Sequence, residues 1–194
     1  MISRLELTAL ALTLCCTAAC KSTPPPPAPS PEEAMMQMMK LATPGPEHAA
    51  LMRQAGTWEQ HYKMRWAPDA PWQETTGMSV SRPILGGRYL MDEVSFTLEN
   101  QPMQGIQIFG YDNLTGEYTS QWADTMSTWW MSSRGKKNAE GVINLTGTLT
   151  DIAGTRPFRM VVKPHGDSAS DVEMYDTIPD KGEVLVMTIA AKKR

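Results

Sequence analysis

The stretch Gly105-Ile106-Gln107-Ile108-Phe109-Gly110-Tyr111-Asp112-Asn113-Leu114-Thr115-Gly116-Glu117-Tyr118-Thr119-Ser120-Gln121-Trp122-Ala123-Asp124 reads as a β-hairpin. Ile106 and Ile108 alternate with Gln107, which is the two-residue period of a strand. Tyr118, Ser120, Trp122 and Asp124 share one face of the return strand, because successive side chains point to opposite faces. Asp112 and Asn113 between the two runs suit a type I turn. Gly116 suits the left-handed residue that closes such a loop. The hairpin also gathers chemically distinctive side chains: Tyr111, Tyr118, Trp122, Asp112 and Asp124.

The same pattern repeats on both sides of the hairpin. Strands are expected at 57–66, 73–82, 88–98, 104–111, 117–124, 128–133, 142–149, 156–163, 170–177 and 183–191. Val94, Phe96 and Leu98 alternate, as do Ile143, Leu145, Gly147 and Leu149, and again Phe158, Met160 and Val162. Turn-forming clusters such as Gly86-Gly87, Asn100 to Pro102 and Pro179 to Gly182 separate the runs. Short strands at hairpin spacing argue for an up-and-down antiparallel meander. Such a meander exposes two edges unless it closes on itself, so a barrel of about ten strands is favoured over a β-sandwich.

Before residue 57 the chain reads differently. Residues 1–19 have the form of an export signal. Arg4 supplies the positive start, Leu7 to Leu14 a short apolar core, and Thr17-Ala18-Ala19 a small-residue cleavage site. That core is shorter than the roughly 20 apolar residues a bilayer span needs. Cys20 directly after Ala18-Ala19 resembles a bacterial lipobox, which implies lipid attachment to Cys20 and removal of everything before it. The alternatives are ordinary cleavage, releasing a soluble periplasmic product, or no export. The absence of Asp at Lys21 and Ser22 resembles the outer-membrane sorting pattern, so the expected location is the outer membrane, facing the periplasm.

Residues 20–30 form a tether. Pro24 to Pro27, Pro29 and Pro31 favour extended polyproline conformations, reaching about 30 Å at ~3.1 Å per residue. A Met-rich helix follows over 31–43. Ser30 is its N-cap, Pro31 its first residue, and Glu33 completes a capping box. Met35, Met36, Met38 and Met39 admit a Cu(I) reading, since thioethers are soft ligands. Packing against the domain or an envelope protein partner through residues 31–42 is preferred, because Met is a good helix former and a pliable apolar filler. A second short helix is expected after Pro46, with Leu51 and Ala55 on one face and Gly56 near its end.

Composition bounds the chemistry. The formal net charge is −3, which gives no basic field for nucleic acid. Cleavage before Cys20 would leave a domain with no disulfide, no thiolate nucleophile and no cysteine metal ligand. A mature length of about 175 residues suffices for one domain with a substantial core.

Gly56-Thr57-Trp58 opens the first strand straight after a helical turn and resembles the Gly-x-Trp signature of lipocalin-like, or calycin, barrels. There the Trp plugs the closed end and a late basic residue stacks on it, a role implied here for Arg194 or Lys192. A wider pattern is more specific. It runs through Pro46-Glu47-His48, Gly56-Thr57-Trp58-Glu59, Thr76-Gly77, Ile84 to Leu90, Gly105, Gly110-Tyr111-Asp112-Asn113, Thr115-Gly116, Tyr118, Trp122-Ala123-Asp124-Thr125 and Arg194. This pattern resembles the DUF1579 family over residues 44–194. The resemblance implies a calycin-like barrel, with Gly56, Trp58, Gly110, Asp112, Gly116 and Arg194 as structural positions. It implies no activity.

The remaining chemistry is sparse. His48, His61 and His165 do not converge as a zinc site would require. Related barrels of the nitrobindin type bind haem through an inward His, but His61 alternates away from Trp58 and Gln60, so no cofactor is assigned. No Gly-x-Ser-x-Gly elbow, phosphate loop or dinucleotide fingerprint occurs. Asp92 and Glu93 join Asp112 and Asp124 as the carboxylates near the hairpin. Asp112 is expected to serve its own turn. Asp124 beside aromatics is how a small-molecule pocket fixes orientation, and its alternative is a hydrogen bond to Arg88 or a backbone amide. The expected ligand-lining residues are Tyr118, Trp122, Asp124 and Trp130, around a small apolar or amphipathic ligand. A filled barrel acting as a protein-interaction or structural module is the second reading, and an enzyme using Asp124 the third.

Overall fold

The computed structural model describes residues 28–194 apart from residue 153. The export signal, Cys20 and most of the tether lie outside the described residues. Helix α1 spans Pro31–Ala42 and starts as its cap predicts. Ser30 Oγ accepts the Glu33 N–H at 3.3 Å, and the Glu33 carboxylate accepts the Ser30 N–H at 2.8 Å. No residue of α1 is buried. Its end is tied to the barrel by Asn113, whose side-chain amide donates to the carbonyls of Leu41 and Thr43, both at 2.9 Å. Helix α2 spans Pro46–Met52, and the buried His48 turns Nδ1 back to accept the Gly45 N–H at 3.1 Å.

Ten antiparallel strands follow: β1 Gly56–Met64, β2 Gln73–Ile84, β3 Tyr89–Leu98, β4 Gln101–Asp112, β5 Glu117–Asp124, β6 Met131–Lys137, β7 Ile143–Asp151, β8 Gly154–His165, β9 Ala169–Ile178 and β10 Gly182–Lys193. Each pairs with the next in sequence, and β10 pairs with β1, so the sheet is a closed barrel rather than a sandwich. Closure removes both sheet edges.

The hairpin reading holds in detail. Leu114 N–H donates to Asp112 Oδ1 at 2.8 Å and Thr115 Oγ1 to Asp112 Oδ2 at 2.8 Å. Gly116 closes the turn at φ +68°, where a Cβ would be strained. Those two bonds, the hydroxyl of Thr115 first, hold the Asp112 carboxyl below its ordinary range.

The sixth strand is a correction. It runs over Met131–Lys137, not 128–133. Asp124 Oδ1 accepts the Met126 N–H at 2.9 Å and Ser127 Oγ donates to the Trp129 carbonyl at 3.2 Å, which keeps Thr125 to Trp130 in a loop. Thr128, Trp129 and Trp130 mimic strand composition without having ladder partners.

The cation at the closed end is a second correction. Lys193 Nζ, not Arg194 or Lys192, lies over the Trp58 ring, 5.8 Å from its centroid. The two-residue period decides this. Lys193 stands opposite Trp58 and faces inward with it, whereas Arg194 faces outward and pairs with Glu59 at 2.5 Å. Trp58 is buried, and its indole N–H donates to the Gln54 carbonyl at 2.9 Å.

Helix α2 plugs this end. Its Leu51 packs with Phe109, Tyr118, Ile143, Leu145 and Met160 in one apolar cluster. A second cluster of Tyr62, Met64, Val94, Leu98 and Met103 fills the wall toward the opposite end. The two clusters are distinct.

Candidate functional site

Ladder register puts Ser81, Asp92, Gln107, Trp122 and Met131 side by side on the inner wall across β2 to β6. A neighbouring inward row runs Ser79, Val94, Gly105 and Asp124, and another runs Phe109, Ser120, Ser133, Gly147 and Phe158. Short and polar side chains thus share the middle of the barrel with Val94, Phe109, Trp122, Met131 and Phe158. Ser79, Ser81, Ser120 and Ser133 are all buried. Gln107 Nε2 donates to Ser120 Oγ at 2.9 Å.

The large rings lie against the wall. A Cβ at Gly105 would stand 2.3 Å from the Trp122 ring, so the indole occupies space that only glycine leaves free. A Cβ at Gly147 would meet the Ser132 carbonyl at 2.2 Å and the Phe158 ring at 2.6 Å, and one at Gly77 would meet the Ser95 carbonyl at 2.6 Å and the Tyr62 ring at 3.1 Å. Tyr62 stacks on Phe96 with centroids 4.6 Å apart, and its hydroxyl donates to Gln60.

Asp92 is the outlying polar group of this interior. The residue as a whole is partly exposed, yet its Oδ1 is sealed from solvent and has no hydrogen-bond partner. The orphaned atom, not the residue average, sets its chemistry. Burial pushes the carboxyl up from the ordinary aspartate range, and only a bond from Ser81 opposes that rise. The far wall holds an ion cluster that is fully engaged. Arg156 donates to Asp176 Oδ1 and Oδ2, at 2.8 Å each, and to Asp151 Oδ1 and Oδ2, at 2.9 Å each.

The four expected lining residues are not brought to one place. Tyr118 sits at the plugged end, 3% exposed, with its hydroxyl donating to Glu47 of α2. Lys137 Nζ reaches the same carboxylate at 2.5 Å. Those bonds, Lys137 first, hold the Glu47 carboxyl low. Trp122 and Asp124 are together on the inner wall toward the opposite end, joined by an indole N–H to Asp124 Oδ2 bond of 2.8 Å. Asp124 takes its second bond from a backbone amide, that of Met126, and none from Arg88. Trp130 stands exposed on the loop before β6, beside the exposed Trp129 and Met126.

Asp92 had a legible signal. It shares the two-residue period of Val94, Phe96 and Leu98, so it falls on the apolar face of its strand. The Arg156 cluster had none, because its partners come from separate strands.

The outer wall carries two grooves, of about 420 and 560 Å³. The first is lined by His61, Lys63, Glu74, Lys163 and Glu173 among others. Its charges pair with one another, Lys63 with Glu74 at 2.8 Å and Lys163 with Glu173. His61 is exposed there, on the outer face as its alternation predicts. Among the described residues, no group of three or more His, Cys, Asp and Glu is arranged to hold a metal ion.

A family model described as protein of unknown function (DUF1579) matches residues 43–193. No curated protein matches the chain.

Proposed function

The chain belongs to the DUF1579 family, and from that premise we propose that it binds a small, partly apolar ligand inside its barrel while held in the cell envelope by a lipid on Cys20. The inner wall carries this reading. Barrel diameter grows with strand number, and eight strands already enclose either a core of side chains or one small ligand. At mid-height the wall of this ten-stranded barrel carries Ser79, Ser81, Ser120 and Ser133, and the rings of Trp122 and Phe158 come close against Gly105 and Gly147, so these positions project little bulk inward. Trp122 supplies an apolar face, and Asp124 fixes its indole. The signal at 1–19, the proline tether and Lys21-Ser22 support anchoring at the outer membrane with the barrel in the periplasm.

Native mass spectrometry of the full chain taken from a bacterial envelope, paired with organic extraction, tests the reading. A stoichiometric small-molecule mass is expected. Trp122→Ala is expected to weaken retention of that molecule at least tenfold, roughly 1.4 kcal/mol, while circular dichroism stays that of the barrel. Undiminished retention removes Trp122 from the site.

A second reading is favoured by α1 alone. Met35, Met36, Met38 and Met39 are 57–65% exposed on a helix with no buried residue. Such a surface suits a protein contact. Cross-linking in the envelope should then capture one partner only when residues 31–42 are present. Equal capture after their deletion eliminates the helix as the contact.

A further inference from the structure

We propose that the interior site takes a cation, an amine carried on an apolar body, with Asp92 as its anchoring counter-charge. The inference rests on the interior-binding reading and names the ligand's chemical class.

The charge inventory of the inner wall comes first. Among the described residues, the inward positions away from the α2 plug carry four carboxylates: Asp92, Asp124, Asp151 and Asp176. They carry one cation, Arg156, and its guanidinium is already shared between Asp151 and Asp176. The inward lysines stand at the opposite end and are engaged. Lys137 pairs with Glu47, and Lys193 Nζ donates to the Arg53 carbonyl at 3.0 Å. Nothing basic reaches Asp92, whose charge is opposed by burial and supported only by Ser81.

An isolated carboxylate in a dry interior is costly, and proteins retain such groups where a ligand completes them. Asp92 keeps its Oδ1 sealed from water and unpartnered while its Ser81 neighbour steadies the group. A ligand ammonium has the donors that this oxygen lacks, and its charge answers the surplus of negative groups on the wall. A ligand carboxylate or phosphate would meet repulsion.

The surroundings of Asp92 fit the rest of such a molecule. Gln107 stands beside it on β4 and Trp122 beside Gln107 on β5, so the indole is two strands away, about 10 Å at ~4.8 Å per strand. Tyr62 and Phe96 form a stacked pair whose neighbours include Asp92, which raises the Tyr62 phenol together with burial, the larger effect. Aromatic faces attract ammonium groups as well as apolar chains. The serines and Gln107 supply hydrogen-bond partners for the remaining N–H groups.

The test uses three probes with one body and different heads: 2-phenylethylamine, 2-phenylethanol and 3-phenylpropionate. Each is titrated calorimetrically at neutral pH into the full chain and into Asp92→Asn, whose fold is checked by near-ultraviolet circular dichroism. The amine is expected to bind at least tenfold more tightly than the alcohol, and the carboxylate least tightly. Asp92→Asn is expected to bring the amine to the level of the alcohol. Three equal affinities in the wild-type chain overturn the cation assignment and leave interior binding standing. Absence of binding by all three overturns both. An amine preference that survives Asp92→Asn overturns Asp92 as the anchor.

Discussion

Replacing Arg156 by Met is expected to destabilise the barrel by about 3–5 kcal/mol, because it takes the guanidinium away from two carboxylates that it now bridges. Arg156 stands on β8 between Asp151 at the end of β7 and Asp176 on β9, so one guanidinium fork joins three strands. Its side chain is 18% exposed and that of Asp176 12%, which places the cluster well inside the range where ion pairs matter. Exposed pairs such as Lys181 with Asp69 contribute little by comparison. For a domain of this size the loss corresponds to a melting point lower by roughly 6–20 °C. Arg156→Lys keeps the charge and loses the fork, so it should recover only part of the deficit. Thermal unfolding of the two variants beside the wild type decides the matter. A change below about 1 kcal/mol in Arg156→Met would show that solvent already satisfies both carboxylates.

Much of this architecture is legible in the chain because β-structure writes a short period. Alternation at Val94, Phe96 and Leu98 sets the inner face, and the Asp112-to-Gly116 turn sets the register of the hairpin, each within a dozen residues. Closure follows from the same reading, since ten hairpin-linked strands leave two edges that only pairing removes. Two failures share a cause. Thr128-Trp129-Trp130 has strand composition but its loop is set by Asp124 and Ser127. The cation on Trp58 comes from Lys193 because the β1–β10 ladder fixes parity, and parity across a barrel seam is invisible locally. The site was harder still. Tyr118 and Trp122 lie on one face of one strand, as their spacing says, yet α2 closes over the first and not the second. Which end of a barrel is plugged depends on where a helix docks, and no strand records that.

Asp92→Asn is expected to make the ligand-free protein more stable at pH 8, by about 1–3 kcal/mol, since it removes the charge from a sealed and unpaired oxygen. The sign follows from the carboxyl itself. Burial raises it in the folded state above the ordinary aspartate value near 4. The folded chain therefore holds this proton more tightly than the unfolded chain does. Stability contributed by the protonated group is complete below about pH 4 and declines as pH rises toward the folded-state value, at up to roughly 1.4 kcal/mol per pH unit. Of the groups packed around it, Ser81 and Gln107 do not titrate, and burial keeps the Tyr62 phenol protonated. The difference between wild type and variant thus isolates Asp92. Denaturant titrations at pH 4, 6 and 8 should show it near zero at the lowest pH and growing upward. If Asp92→Asn instead destabilises the chain at every pH, the carboxylate belongs to the folding network and not to a binding site. A gain in stability on removal is the mark of a group kept for something other than the fold, because functional sites hold polar atoms that folding alone would discard.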